Sequence, residues 1–336
     1  MNNQIIDLHV HFGAPKDEES GCYWSKDFEK TAAYWAMRII TKSLFTKVNI
    51  QKVQKKLLKV INKSKHVDKS ILLAMDEVYD KSGARHPEWT HLYVPNMYIA
   101  NLAKENDRIL FGASVHPYRK DWSDELDKCI AHKAVLCKWI PSSQQIDPSS
   151  DTCTPFYKKL SDHKLPLLCH AGPEYAIPTS NKKYNERNNP KYLRKALDQG
   201  VIVIFAHCAL PYFGTLDVDY TDDLAEFYKL FKEAERNNWN LYADLSALAT
   251  PLRAPYIEDI LNKIPAERLL FGSDYPIPAS ELSYTKTKNI MKWIKFVWKM
   301  IHLKNPLDKN YHLIRKMGFD DSIFTNAQKL FSSIQY

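Results

Sequence analysis

The sequence predicts an α/β fold, a (βα)8 TIM barrel of parallel strands, from three observations. Eight short apolar runs alternate with amphipathic helical patterns along the chain. Several of the runs are apolar at successive positions, which is typical of strands buried on both faces. No tandem repeat, low-complexity tract or Gly/Ser-rich linker divides the 336 residues. We therefore expect a closed barrel rather than an open sheet, in a single domain spanning residues 1–336.

The elements follow in chain order from the period of the apolar residues and from the turn residues between them. Strands are predicted at 4–11, 70–76, 108–115, 134–140, 166–170, 201–207, 239–244 and 268–273. Helices are predicted at about 92–105, 121–132, 152–164, 187–199, 221–237 and 254–264. A helical insertion at 15–69 follows the first strand. Extra C-terminal helices at 281–336 follow the barrel core, which covers about residues 4–280.

Charge and composition limit the classes of function. The formal net charge is +8, and the segments 42–69 and 286–316 are rich in lysine. Solvated helix faces explain such segments in the simplest way, and attraction of an anionic substrate, an acidic partner or an anionic membrane surface is the alternative. The six cysteines include no C-x-x-C pair, which favours reduced thiols that pack in the interior.

The expected cellular location is inferred from two kinds of segment that were not found in the sequence. No apolar run reaches the roughly 20 residues that a membrane-spanning helix needs, and no signal-like segment begins the chain. We expect a cytoplasmic protein with a small-molecule substrate, anionic or aromatic in character, and no nucleic-acid partner. A homo-oligomer is compatible with the sequence.

Histidines at strand ends point to a metal site. His9 and His11 lie two residues apart on the first strand, so their side chains project from the same face. Later apolar runs end in His170, His207 and Asp274. Because the C-terminal ends of all barrel strands open onto one face, these side chains are expected to converge there. Neutral imidazole and carboxylate are zinc ligands, so the set predicts a divalent metal site.

Lys138 stands inside the apolar fourth strand, and an interior lysine requires a reason. It can extend toward the surface or pair with an acid such as Asp147. Alternatively, burial and nearby cations lower its pKa, and the neutral amine reacts with carbon dioxide to form a carbamate. A carbamate carries carboxylate oxygens and could bridge two ions.

These residues and their order resemble the amidohydrolase superfamily of metal-dependent (βα)8 hydrolases. The segments His170-Ala171-Gly172, Ala206-His207-Cys208 and Gly272-Ser273-Asp274-Tyr275-Pro276 are most similar to its amidohydrolase-related branch, which includes the aminocarboxymuconate-semialdehyde decarboxylase group. The resemblance covers roughly residues 4–280.

The resemblance implies one or two zinc ions. With two ions, one is held by His9, His11 and Asp274, the second by His170 and His207, and a carbamate on Lys138 bridges them. With one ion, the ligands are His9, His11, His170 and Asp274. In that case His207 is free as an acid/base or oxyanion partner. Lys138 has no equivalent in the decarboxylase group.

The implied reaction is hydrolysis of an amide, lactone or ester bond by metal-activated water, with Asp274 as general acid/base. A mononuclear zinc decarboxylase or hydratase is the first alternative, and a metal-binding interaction module without catalysis is the second. Asp7 could orient a ligand or act as a structural acid. The candidate substrate contacts are His116, Gln144, Glu174 and Arg253.

Overall fold

The computed structural model describes residues 3–40, 43–44, 46–211, 221–283 and 290–332. A few positions of the predicted insertion (41–42 and 45) and of the predicted C-terminal region (284–289 and 333–336) lie outside the described residues. Residues 284–289 include the start of the second lysine-rich segment. In the described part of the chain, no helix is long and apolar enough to cross a membrane.

Eight strands form a nearly closed barrel, which confirms the predicted fold class. Each strand pairs in parallel with the next one along the chain. The strands are β1 (Ile6–His11), β2 (Lys69–Leu73), β3 (Ile109–Ala113), β4 (Ala134–Trp139), β5 (Leu167–His170), β6 (Val203–Ala206), β7 (Leu241–Asp244) and β8 (Leu269–Leu270).

The barrel closes through the residues that follow the short strand β8. Backbone hydrogen bonds join this segment to β1 in the parallel direction. They run from Leu8 N to Phe271 O (3.1 Å), from Asp274 N to His9 O (2.9 Å) and from His11 N to Tyr275 O (2.8 Å). The first and last strands are therefore neighbours.

Within the described ranges, twelve α-helices surround the barrel or extend from it. Those in the insertion are α1 (Ala32–Ile40) and α2 (Ile50–Asn62). Those between later strands are α3 (Asn96–Glu105), α4 (Trp122–Ala131), α5 (Pro141–Gln144), α6 (Thr154–Asp162), α7 (Arg194–Asp198), α8 (Thr221–Asn237) and α9 (Ile257–Lys263). The C-terminal helices are α10 (Ile290–His302), α11 (Pro306–Lys316) and α12 (Ile323–Ser332).

Two predicted helices differ from the structure because of proline. The helix expected at 92–105 begins only at Asn96, after Pro95, and Leu92–Tyr93 instead pairs with Tyr23–Trp24 in a small antiparallel sheet. The helix expected at 187–199 is divided into short 3-10 turns followed by α7. Pro190 requires an extended conformation at the preceding residue, and Asn189 has φ −63° and ψ 126°.

The barrel interior and the layer beneath the helices form two apolar clusters. The interior cluster contains side chains such as Leu8, Ile71 and Leu168, together with Ala327 and Phe331 from α12. The side-chain amide of Asn326, also in α12, donates to Ala266 O and Leu269 O at the start of β8. Helix α12 therefore packs at the N-terminal ends of the strands and leaves the C-terminal ends open for a site.

Candidate metal centre

Three side chains converge where β1 meets the segment after β8. His9 Nε2 lies 3.0 Å from His11 Nε2, and Asp274 Oδ1 lies 3.7 Å from the first nitrogen and 3.3 Å from the second. These ligand atoms lie within 4.8 Å of one another. His9 and Asp274 are buried, and His11 is partly exposed. The spacing and the nitrogen and oxygen donors fit a single divalent ion such as zinc.

Asp244, at the end of β7, fixes the orientation of His9. The Nδ1–H group of His9 donates to Asp244 Oδ2 at 2.7 Å, which leaves Nε2 as the nitrogen that can bind an ion. The other carboxylate oxygen accepts the backbone N–H groups of His207 (2.9 Å) and Ser246 (3.0 Å). One fully buried carboxylate thus connects β1, β6 and β7 behind the donor atoms.

The sequence interpretation missed Asp244 although a usable signal was present. The predicted strand 239–244 ends in this aspartate, as other strands end in His170 or His207. A carboxylate at the C-terminal end of a barrel strand belongs at the functional face. Ser246, two residues further on, was also missed.

His207 lies beside His9 on an unusual turn. His207, Cys208 and Ala209 have φ values of 57°, 51° and 52°, a left-handed run that is costly for residues other than glycine. The ring of His207 stacks on that of His9 with centroids 4.9 Å apart. Its Nδ1 lies 2.7 Å from Ser246 Oγ and 3.2 Å from Ser246 O. Donation from Nδ1 to these oxygens leaves Nε2 available to a ligand.

His170 lies next to the three-residue cluster and is held by its own loop. Its ring centroid is 5.2 Å from that of His207. Its Nδ1 lies 3.1 Å from Glu174 Oε2, and its Nε2 lies 3.2 Å from Pro173 O. The other oxygen of Glu174 accepts the backbone N–H groups of Ala176 and Ile177. Glu174 therefore orders the loop after β5 around this histidine.

Lys138 projects into the same centre and is fully buried. Its Nζ lies 3.4 Å from His9 Nε2. It is far from being a surface side chain, and burial lowers its pKa below the usual range despite the nearby carboxylates of Asp244 and Asp274. Of the two alternatives for Lys138, extension to the surface or pairing with Asp147 is therefore not what the structure shows.

Asp7 and Gly272 support the backbone beneath the ligands. Asp7 Oδ1 accepts the N–H groups of His9 (3.2 Å) and Ser273 (2.8 Å), and burial raises the pKa of Asp7 to about 7. At Gly272 a Cβ atom would lie 3.1 Å from Cβ of both His9 and Ser246. A larger residue at position 272 would therefore have to push His9 or Ser246 away by a few tenths of an ångström.

Burial favours the neutral form of three histidines of the centre, His9, His170 and His207. It lowers the pKa of His9 and His207 well below the usual value, and that of His170 in the same direction. The positive charges of Lys138 and Arg253 add to the effect at His9 and His170. Neutral imidazole is the form that binds a metal ion.

The centre forms one side of a cavity of about 90 Å³. Its lining includes the polar side chains of His11, Lys138, His170, Glu174, His207, Arg253 and Asp274. Two of the four expected substrate contacts, Glu174 and Arg253, are therefore at the cavity. Arg253 is 2% exposed, so its guanidinium charge is shielded from bulk solvent.

The other two expected substrate contacts, His116 and Gln144, are not among the residues that line the cavity. His116 Nε2–H donates to Gln144 O at 2.8 Å, and its Nδ1 accepts from Tyr118 N at 3.1 Å. The Gln144 side chain accepts from Ile140 N and donates to Asp76 O and Ser114 Oγ. Both side chains are buried and connect loops to one another.

Comparison with known proteins found a matching family model and solved structures of similar fold. A family model described as amidohydrolase matches residues 75–297. Comparison with curated proteins gave no match.

Several solved structures are similar over nearly the whole chain. An uncharacterised TIM-barrel protein from Bordetella bronchiseptica is 14% identical, with a TM-score of 0.56 and coverage of 97% of this chain and 99% of that one. A Pseudomonas putida protein with the provisional name 2-pyrone-4,6-dicarboxylic acid hydrolase is 10% identical, with a TM-score of 0.57 and complete coverage of both chains (100% and 100%). Apo IDCase from Metarhizium anisopliae is 11% identical, with a TM-score of 0.51 and coverage of 98% and 97%. At these identities the similarity establishes the fold.

Proposed function

Because the family match extends over residues 75–297, the chain belongs to the amidohydrolase family, and we propose that it is a metal-dependent hydrolase of an amide, lactone or ester bond. The observation that carries the proposal is the convergence of His9 Nε2, His11 Nε2 and Asp274 Oδ1 within 4.8 Å at the cavity. Interior packing alone would not require two histidines and a carboxylate to share so small a space.

The residues that would hold a first ion are His9, His11 and Asp274. When bound there, zinc would lower the pKa of a coordinated water to about 7 and polarise the oxygen of the bond to be cleaved. Asp244 supports this assignment, since it accepts from His9 Nδ1 and so keeps the lone pair of Nε2 directed at the centre.

Asp274 is proposed as the general acid/base. Its Oδ1 lies with the histidine nitrogens, and its Oδ2 lies 3.9 Å from His207 Nδ1. A carboxylate at this position can take a proton from the attacking water and return it to the leaving group. His207, kept neutral by burial, is proposed to hold the reacting oxygen or to bind a second ion through Nε2.

Lys138 determines whether the centre is suited to one ion or two. In the lowered-pKa, neutral form its amine can attack carbon dioxide and lose a proton, which produces a carbamate. The carbamate would bring two oxygens to the neighbourhood of His9 and would support a second ion together with His170 and His207.

Arg253 is proposed to bind an anionic group of the substrate. It lies at the cavity with the metal-binding candidates and carries its charge in a buried position. A guanidinium in such a place attracts a carboxylate strongly because little water screens the charge.

A mononuclear non-oxidative decarboxylase is the second candidate. It is favoured by the compactness of the His9, His11 and Asp274 cluster, which needs neither Lys138 nor a second ion. Metal analysis and the intact mass of the protein under carbon dioxide separate the two: two ions and a carboxyl adduct on Lys138 support the binuclear hydrolase, and one ion with an unmodified lysine supports the decarboxylase.

The test of the hydrolase is turnover of a panel of esters, lactones and amides by zinc-loaded protein. We expect at least one substrate, and we expect Asp274→Asn to reduce kcat by about 100-fold to 10,000-fold. Asp223→Asn is the matched control, because this aspartate is also buried but bonds to Asn189 away from the cavity lining. The proposal fails if no substrate is turned over, or if Asp274→Asn is as active as the control.

A further inference from the structure

The insertion after β1 contributes a group of apolar side chains to the cavity wall. Helix α1 contributes Ala33 and Met37, and helix α2 contributes Val53 and Leu57. Each pair is spaced four residues apart, so each lies on one face of its helix. All four side chains are buried, with exposures of 2% to 8%. Phe28, just before α1, continues this surface.

The lysines that the structure describes in the insertion do not contribute to this wall. Lys52, Lys55 and Lys59 of α2 are exposed, on the faces away from Val53 and Leu57. None of them lines the cavity. The lysine-rich segment is therefore a solvated helix face in α2, and the wall that it backs is apolar.

A cavity lined by both apolar side chains and polar candidate catalytic groups selects for an amphipathic substrate. A hydroxyl or charged group placed against Met37, Val53 and Leu57 would lose its hydrogen bonds to water without replacement. A methylene group placed there gains instead, by about fourfold in affinity for each one that is fully buried. The cavity therefore favours a substrate with one polar end and one apolar end.

The insertion lies before the region that matches the family, which begins at residue 75. Membership of the family thus does not account for the wall, and the chemistry of α1 and α2 must be inferred from their own side chains.

We propose that the substrate carries an aliphatic acyl chain that lies along α1 and α2, against Met37, Val53 and Leu57. Its carbonyl group lies at His11 and Asp274, on the polar side. The inference rests on the proposed hydrolase function and adds the substrate class: an ester, lactone or amide of an aliphatic acid, whose product is an alkanoate.

Binding of a series of alkanoates tests the proposal without turnover. Zinc-loaded protein is titrated by calorimetry with butanoate, hexanoate, octanoate and decanoate, each below its critical micelle concentration. We expect Kd to fall by about fourfold for each added methylene until the chain fills the space, and then to become constant.

Two variants of α1 move this limit in opposite directions. Ala33→Leu fills part of the wall, so affinity should stop increasing at a shorter chain. Met37→Ala enlarges the space, so affinity should continue to increase to a longer chain. A loss of folding cannot lengthen the preferred chain, which makes the second variant the decisive control. Zinc content and thermal unfolding of both variants are measured alongside.

The outcomes separate this proposal from the proposed function. A Kd that does not depend on chain length, or a limit that neither variant moves, overturns the aliphatic substrate class even if small polar esters are hydrolysed. A chain-length series that responds to both variants supports it even if no hydrolysis is found, in which case the hydrolase assignment alone fails.

Discussion

At the scale of single residues, Asp244 is the side chain on which the proposed metal ligand His9 depends. It accepts from His9 Nδ1 at 2.7 Å and has no place in the cavity lining itself. Asp244→Asn removes the charge and offers an amide where a carboxylate should accept. We expect zinc affinity to fall by about 10-fold to 100-fold, measured by competition with a chromophoric chelator.

The control for Asp244→Asn is Asp76→Asn, which also alters a buried aspartate with bonds to backbone N–H groups. Its ion pair is with Arg119, not with a histidine of the centre. Equal zinc affinities of the two variants would contradict the orienting role of Asp244.

His116 predicts a pH dependence of stability. Burial lowers its pKa from 6.5 to about 3. Between these values the unfolded chain binds a proton that the folded protein does not, so the stabilising contribution present above pH 6.5 is lost as the pH falls toward 3. His116→Gln removes this titration. As the pH falls from 6.5 toward 3, the free energy of unfolding of this variant should decrease less steeply than that of the unaltered protein. The difference in slope should be at most about 1.4 kcal/mol per pH unit, measured by urea titrations at several pH values. Identical slopes would contradict the assignment.

The residues of the site were predictable to the extent that strand geometry decides them. Alternation along β1 placed His9 and His11 together, and strand ends placed Asp274 near them. The alternation of side chains along a strand does not predict the orientation of a side chain in the loop after the strand. His116, in such a loop, points into the protein, where both of its ring nitrogens have backbone partners.

At the scale of elements, the C-terminal helix α11 is connected to the insertion by Asp308. Its carboxylate accepts from Ser64 Oγ and from the N–H groups of Lys65 and His66, just after α2. Asp308→Ala leaves these donors without a partner. We expect a loss of about 2–4 kcal/mol in the free energy of unfolding, measured by urea denaturation. Asp321→Ala, which removes an exposed ion pair with Arg315, should cost less than about 1 kcal/mol.

If Asp308→Ala loses no more unfolding free energy than Asp321→Ala, the contact between α11 and the end of α2 contributes little to stability. If instead only Asp308→Ala is destabilised, measuring its alkanoate affinity tests whether the position of α2 matters for binding. The substitution removes contacts just after the C-terminal end of α2, the helix that carries Val53 and Leu57.

The order and type of the elements were predicted well because apolar period and turn residues are local signals. Local signals failed where partners are distant. Leu92 and Tyr93 continue a helical pattern in sequence, yet they pair with Trp24 and Tyr23. Nothing local indicated that α1 and α2 would face the cavity, since their role depends on how the whole insertion folds back over the barrel.

At the scale of the whole molecule, metal binding and folding should be coupled. The candidate ligands come from both ends of the barrel sequence, so only the folded chain can present them together. At a free zinc concentration 100 times Kd, the ion stabilises the folded state by about 2.7 kcal/mol. We expect a chelator to lower Tm by several degrees and zinc to restore it, measured by scanning calorimetry.

The variant that tests this coupling carries His9→Gln and His11→Gln together. Its Tm should be the same with chelator and with zinc. If the unaltered protein shows no difference either, the centre does not bind zinc under these conditions and the hydrolase proposal loses its premise.

The closing hydrogen bonds of the barrel have a consequence for biosynthesis. Asp274 and the carbonyl of Tyr275, which accepts from His11 N, are synthesised more than 260 residues after His9 and His11. The contact that closes the barrel is therefore also the place of the proposed metal site. A nascent chain stalled before this point would hold two of the three donors and an unsealed edge, so maturation of the protein and loading of its metal would be finished in one late step.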